Sequence, residues 1–158
     1  YGLSLKRKKD PHSVFRFPRP AWYHKHITTL GMKKNHILMI DDDPAIQRLF
    51  GAKFAHEGFE VMYAHDGHEG REMARRFQPD IVLLDIRMPG ADGFTIARLL
   101  HTEPQTEHIP IVFLTNEDFK PEAEKWAKEL WVSDYLHKSM DLDEIVKRVK
   151  KVLKEKKS

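Results

Sequence analysis

The chain of 158 residues has no cysteine. Disulfides and thiolate metal sites are therefore excluded, which fits a reducing cytosol. No apolar run approaches the roughly 20 residues needed to cross a bilayer, so a soluble, cytoplasmic protein with no membrane insertion is expected. His12, His24 and His26 lack the spacing of a zinc site. Positive charge is scarce where a folded domain would lie. The formal net charge of +3 comes from residues 1–34, which hold nine Lys/Arg against one acid, whereas residues 35–158 hold eighteen against twenty-three. A nucleic-acid reading would have to rest on the leader alone.

What is present is one domain's worth of alternating pattern. From His36 onward, short apolar runs (HILMI, EVMYA, IVLL, IVFLT, DYLH) alternate with stretches of helical period. The first helix carries Ile46, Leu49, Phe50 and Phe54 on one face and stops at Gly58. The second places Met73, Ala74 and Phe77 in register and ends at Pro79. FTIARLLH forms a third, the segment 121–130 a fourth with Pro121 in its first turn, and residues 142–155 a last one, with Leu142, Ile145, Val146, Val149 and Val152 on its inner face. Strands starting near 36, 60, 81, 111 and 134 make five βα units with right-handed crossovers. The expectation is an α/β three-layer sandwich, and fold analogy gives the flavodoxin-like parallel order 2-1-3-4-5.

Polar residues close these apolar runs: Asp41 and Asp42 after the first, Asp85 after the third, Thr115 at the end of the fourth, Lys138 after the last. Ligands sit outside the carboxyl ends of parallel strands, so these five residues are expected at one edge of the sheet. Three carboxylates repel one another unless a cation lies between them, and hard oxygen donors suit Mg2+. A hydroxyl and an ammonium suit a phosphoryl group. Phosphoryl transfer asks mainly for position and charge compensation, and a carboxylate nucleophile gives an acyl phosphate. The plainer readings are a helix cap for the Asp string, with Asp43 as the cap before Pro44, an ordinary strand-end Thr115 and a solvated Lys138.

Residues 1–33 show neither helical stripe nor strand alternation and read as a basic, disordered or appended leader, with the folded domain over 34–156. The leader lacks a starting Met and a signal-peptide core, and Met32 is read as the natural start. The functional alternative is an arm that touches nucleic acid or acidic lipid through residues 6–9, Phe15, Arg16, Phe17, Arg19 and Trp22.

Taken together, ILMIDDDPAI, IVLLDIRMPGADGF, IVFLTN and DYLHK resemble the receiver domain of two-component response regulators. The resemblance implies that Asp85 is the phosphoacceptor. It implies that Asp41, Asp42, Asp85 and the backbone carbonyl of Arg87 hold Mg2+, that Thr115 and Lys138 meet the phosphoryl oxygens, and that Tyr135 is an aromatic switch coupled to Thr115. Implied partners are a sensor histidine kinase or phosphotransfer protein, and a downstream protein on the face of the fourth helix, fifth strand and last helix, which includes Trp126 and Tyr135. Homodimerisation on phosphorylation belongs to the same picture. Because the chain ends in a polar helix tail, a stand-alone receiver is expected. It would be a phosphoacceptor signalling domain with slow self-dephosphorylation, not an enzyme acting on other substrates.

Three departures bear on switching. Ser139 stands where the lysine is commonly followed by a cis proline, so that loop is trans and rearranged, or strained. Asn116 replaces a small residue, and Trp131 stands where a helix-ending Gly is common. They support a rival reading, a receiver-fold binding module that works without phosphorylation. A second rival, an aspartate-nucleophile hydrolase, wants an acid two residues after Asp85, where Arg87 stands. Arg87 and Glu117 are expected to pair across the mouth of the site and hinder hydrolytic water, or else to form a solvated ion pair.

Overall fold

Five short apolar stretches form one parallel sheet in the computed structural model, which describes residues 34–117 and 129–156. The strands are β1 (His36–Ile40), β2 (Glu60–Ala64), β3 (Ile81–Leu84), β4 (Ile111–Thr115) and β5 (Asp134–His137). Their order across the sheet is 2-1-3-4-5, and every pairing is parallel. β1, β3 and β4 are buried along their whole length, which is why they read as unbroken apolar runs and not as alternations. The leader and most of the expected fourth helix lie outside the described residues.

Among the described residues the helices are α1 (Pro44–His56), α2 (Gly67–Phe77), α3 (Gly93–Thr102) and α4 (Leu142–Glu155). Side chains alternate across the strands with period two. Ile37, Met39, Leu83, Val112 and Leu114 meet Phe50 and Phe54 of α1 and Ile145, Val149 and Leu153 of α4 on one face. Leu38, Ile40, Val82, Leu84 and Phe113 meet Ala74 of α2 and Ile96, Ala97 and Leu100 of α3 on the other. Each large side chain buried this way contributes about 1.5–3 kcal/mol before ordering entropy.

Asp43 caps α1, accepting from the backbone N–H of Ala45 (2.8 Å) and Ile46, with Pro44 at the first helical position. One expectation about this helix fails: Leu49 is 52% exposed. The buried stripe runs through Gln47, Phe50, Gly51 and Phe54, and Leu49 lies about 100° round the helix from Phe50, past its edge. The turn before β5 keeps Trp131 at φ 57°, in the left-handed region. Its indole stacks on His101, with ring centroids 5.3 Å apart and planes 20° from parallel, which offsets part of that strain.

Between β3 and α3, Arg87–Met88 and Ala91–Asp92 form a small antiparallel ribbon outside the main sheet. It brings the start of α3 against the end of β3. A Cβ on Gly93 would fall 2.4 Å from the carbonyl oxygen of Asp85 and 2.6 Å from the Cα of Ile86. Both obstacles are backbone and cannot swing aside. Gly93→Ala is expected to lose about 3 kcal/mol, at the upper end of overpacking costs. Urea unfolding of wild type and variant measures this.

Candidate functional site

The sheet carries Asp41 and Asp85 to one edge on neighbouring strands. Asp41 follows β1 and donates its N–H to the carbonyl of Ala64 (3.1 Å), while Asp85 follows β3 and donates to the carbonyl of Ile40 (2.9 Å). Lys138 follows β5, with its N–H on the carbonyl of Thr115 (2.9 Å). From there its Nζ reaches Oδ2 of Asp41 at 2.6 Å and Oδ2 of Asp85 at 2.9 Å. All three side chains are less than a tenth exposed. Asp42 is exposed, yet one carboxylate oxygen from each of Asp41, Asp42 and Asp85 can lie within 4.8 Å of the others.

The second oxygens of the buried pair are held by the backbone. Oδ1 of Asp41 accepts from the N–H of Asp43 (2.9 Å), and Oδ1 of Asp85 accepts a long bond from the N–H of Arg87 (3.4 Å). Burial pushes the Asp41 carboxyl above the ordinary carboxylate value; bonds from Lys138 and the Asp43 N–H oppose this, and the charge on Asp85 adds to it. For Lys138, burial works against the ammonium, but the bonds to Asp41 and Asp85 outweigh it and hold the group above the ordinary lysine value. One ammonium thus serves two carboxylates with a third in reach. This acidic, oxygen-only cluster, open to water through Asp42, fits a hard divalent cation.

Thr115 ends β4 at 1% exposure, and its Oγ1 accepts the N–H of Glu117 (3.2 Å). Among the described residues no hydrogen bond joins it to Asp85; its link to the cluster is the carbonyl that accepts the Lys138 N–H. Tyr135 is half-buried on β5, edge-on to Phe113 with centroids 6.1 Å apart. Its hydroxyl donates to the carbonyl of Glu117 (3.0 Å), tying the loop after Thr115 to the last strand. Arg87, 80% exposed, forms an ion pair with Glu117.

The Lys138–Ser139 peptide is trans, and Lys138 still reaches both carboxylates. Ser139 folds back on His137, whose Nδ1 accepts from the Ser139 N–H (3.1 Å) and lies 2.6 Å from its Oγ. Nε2 of the same ring is 3.2 Å from the carbonyl of Asn116, the arrangement of an imidazole that donates from Nε2. His137 was missed in the sequence because its partners lie in two different loops. Gln47 was missed too. A lone polar residue on the core-facing stripe of α1 is the signal that could have found it.

Residues 37–150 match the family described as response regulator receiver domain. The chain is 45% identical to the response regulator PleD of Caulobacter vibrioides over 105 residues, 66% of this chain, and spans only 23% of PleD's length. It is 36% identical to the protein PilH of Pseudomonas aeruginosa over 118 residues, 74% of this chain and 96% of PilH. The solved structure of the chemotaxis protein CheY4 of Vibrio cholerae superposes with a TM-score of 0.71 at 26% identity, covering 76% of this chain and 99% of that one. The chain belongs to the response regulator receiver domain family, and its fold is the flavodoxin-like α/β sandwich. Such domains serve two-component signalling opposite histidine kinases or phosphotransfer proteins. Among the described residues no helix is long and apolar enough to cross a membrane.

Proposed function

We propose that this chain receives a phosphoryl group on Asp85 from a sensor histidine kinase or phosphotransfer protein and signals by changing its protein partners. The observation that carries this reading is the sharing of Lys138 by Asp41 and Asp85, with Asp42 in reach, at the carboxyl ends of adjacent strands. In the transfer, an Asp85 carboxylate oxygen attacks phosphorus in line as the phosphorus–nitrogen bond of a phosphohistidine breaks, and an acyl phosphate results. Asp41, Asp42, Asp85 and the Arg87 carbonyl would hold Mg2+, which when bound neutralises the phosphoryl oxygens. Lys138 follows the charge from carboxylate to phosphoryl oxygen. Thr115, whose Oγ1 already accepts a bond, keeps its O–H to donate to the phosphoryl group. That donation would pull on the loop to which Tyr135 is bonded.

The receiver is assigned to residues 34–156, the leader to an appended stretch and the protein to the cytoplasm. The downstream partner is assigned to the face that carries Tyr135 and α4, and dimerisation on phosphorylation is part of the same proposal. Intact mass after incubation with acetyl phosphate tests the reading. One added phosphoryl group, present with Mg2+ and absent with a chelator, is expected; an unchanged mass with Mg2+ would favour the phosphorylation-independent binding module.

Two further outcomes are expected. Because the Asp41 carboxyl is held above its ordinary value, a proton competes with the cation further up the pH scale than at a normal carboxylate. In the metal-free protein, the raised value lends stability in acid that is lost as pH rises through the folded-state titration. Mg2+ reverses that loss, so the rise in Tm caused by Mg2+ should grow with pH from acid to neutral, as thermal unfolding across a pH series would show. The second concerns the ion pair between Arg87, whose N–H bonds Asp85, and Glu117, whose N–H bonds Thr115. If it hinders water, replacing both residues with Ala shortens the acyl phosphate lifetime severalfold in a timed phosphate-release assay. An unchanged lifetime would leave it a solvated pair of little worth.

A further inference from the structure

Gln47 is 6% exposed on α1, on the stripe otherwise occupied by Phe50, Gly51 and Phe54. Its side-chain amide donates both hydrogens to main-chain carbonyls: Nε2 lies 2.8 Å from the oxygen of Asp41 and 3.1 Å from that of Ala64. Ala64 ends β2, and its carbonyl also accepts the N–H of Asp41. The backbone of Asp41 is therefore held at both ends, by Ala64 through its N–H and by Gln47 through its carbonyl. Gln47 in turn donates its own N–H to the carbonyl of Asp43 at 3.0 Å. The side chain and the backbone N–H of one residue together close a ring around the segment 41–43.

The carbonyl that Gln47 holds belongs to the peptide linking Asp41 to Asp42. Fixing that peptide plane fixes the N–Cα bond of Asp42 and leaves rotation about that bond as the only backbone freedom in the direction its side chain takes. Asp42 is the exposed member of the carboxylate cluster, and among the described residues no hydrogen bond holds its side chain, whereas Asp41 and Asp85 are held by Lys138 and by backbone N–H groups. We infer that Gln47 is a positioning residue for the divalent cation: through the Asp41–Asp42 peptide it aims the Asp42 carboxylate at Asp85. The inference rests on the cation-dependent reading of the site. It acts on the residues that would hold the ion and not on the ion itself, as partners behind first ligands do in metal sites generally.

The chain carries its own control. Gln78 caps α2 at φ 50° and uses its Nε2 in the same way, bonding the carbonyls of Ala74, Arg75 and Gln105. It ties α2 to the loop after α3 and takes no part in the carboxylate cluster. Met at either position keeps the approximate shape and removes the donors.

The experiment is isothermal titration of Mg2+ into the metal-free full chain as wild type, Gln47→Met and Gln78→Met, with thermal unfolding of each without Mg2+. The expected result for Gln47→Met is Mg2+ affinity weakened about 10- to 100-fold, the range for losing such a partner. Gln78→Met should keep wild-type affinity even where its Tm falls as far. Equal affinity in Gln47→Met and wild type would overturn the inference and leave Gln47 a structural tie. Equal weakening in the two variants would also overturn it, because general loosening would then be the cause. If Gln47→Met does not fold, Gln47→Asn, whose amide is too short to reach both carbonyls, gives the same readout. Failure of the wild type to bind Mg2+ would overturn the cation reading itself and this inference with it.

Discussion

Asp85→Asn is expected to abolish phosphoryl transfer from acetyl phosphate, with the rate falling by more than about a thousandfold, the scale on which removal of a nucleophile acts. An amide of nearly the same shape can still meet Lys138, so the change removes a charge and a nucleophile with little change in volume. The fold should survive. Asp85 is one of two buried carboxylates on a single ammonium, and its charge contributes to the raised titration of Asp41. Taking it away relieves that repulsion. In the absence of Mg2+ the variant should be as stable as wild type, or more stable by about 1 kcal/mol. Loss of transfer together with retained stability, read by intact mass and urea unfolding, separates a missing nucleophile from a damaged domain.

Lys138→Met should have the opposite thermodynamic sign. The lysine side chain is 5% exposed and its two partners are 3% and 8% exposed, so this is a buried interaction and not a surface ion pair. Removing the ammonium they share leaves two carboxylates facing each other out of water, at a cost of about 3 kcal/mol near neutral pH without Mg2+. The pH dependence has a definite direction. Lys138 is what opposes the upward push of burial on Asp41, so without the ammonium the Asp41 carboxyl titrates higher still in the folded state. Such a group lends stability in acid and loses it as pH rises through the folded-state value, so the deficit against wild type should grow from mild acid to neutral. Mg2+ should recover part of it by restoring positive charge to the cluster. Transfer from acetyl phosphate should slow about a hundredfold, because the compensating charge is missing where negative charge moves. Urea unfolding at several pH values with and without Mg2+, and timed phosphorylation, check these points. A deficit independent of both pH and Mg2+ would mean that packing, not charge, is what Lys138 supplies.

The parts of this molecule legible in the sequence are those that burial writes directly. β1, β3 and β4 are covered on both faces, so between His36 at the start of β1 and Thr115 at the end of β4 their residues are apolar, and each strand announces itself as a run. The polar residue that ends the run then marks the sheet edge, and Asp41, Asp85 and Thr115 were visible for that reason. The helices were legible only to within a residue of rotation. Leu49 and Phe50 are adjacent in sequence, and which of them faces the core depends on where Gly51 lets α1 approach the sheet. A Cβ on Gly51 would fall 1.8 Å from the hydroxyl oxygen of Tyr63.

Contacts between loops left no local trace. The ring of His137 spans Asn116 and Ser139, and Tyr135 meets the carbonyl of Glu117 eighteen residues away. Neither partner can be chosen from spacing. The ribbon at Arg87–Met88 and Ala91–Asp92 left no strand signal, because two residues per strand are too few to show alternation. Trp131 was legible as a problem and not as a solution. The sequence shows a bulky residue where a glycine is usual, but only the packing shows His101 beneath the indole.

The most direct test is to locate the phosphoryl group. After incubation with acetyl phosphate and Mg2+, borohydride reduces an aspartyl phosphate to homoserine, and peptide mapping by mass spectrometry reads the position. Homoserine at position 85, lost when Mg2+ is chelated, is the expected result. Homoserine at 41 or 42, or a phosphorylated protein with no homoserine at all, would contradict the assignment of Asp85 as the nucleophile and of its neighbours as the groups that hold the cation.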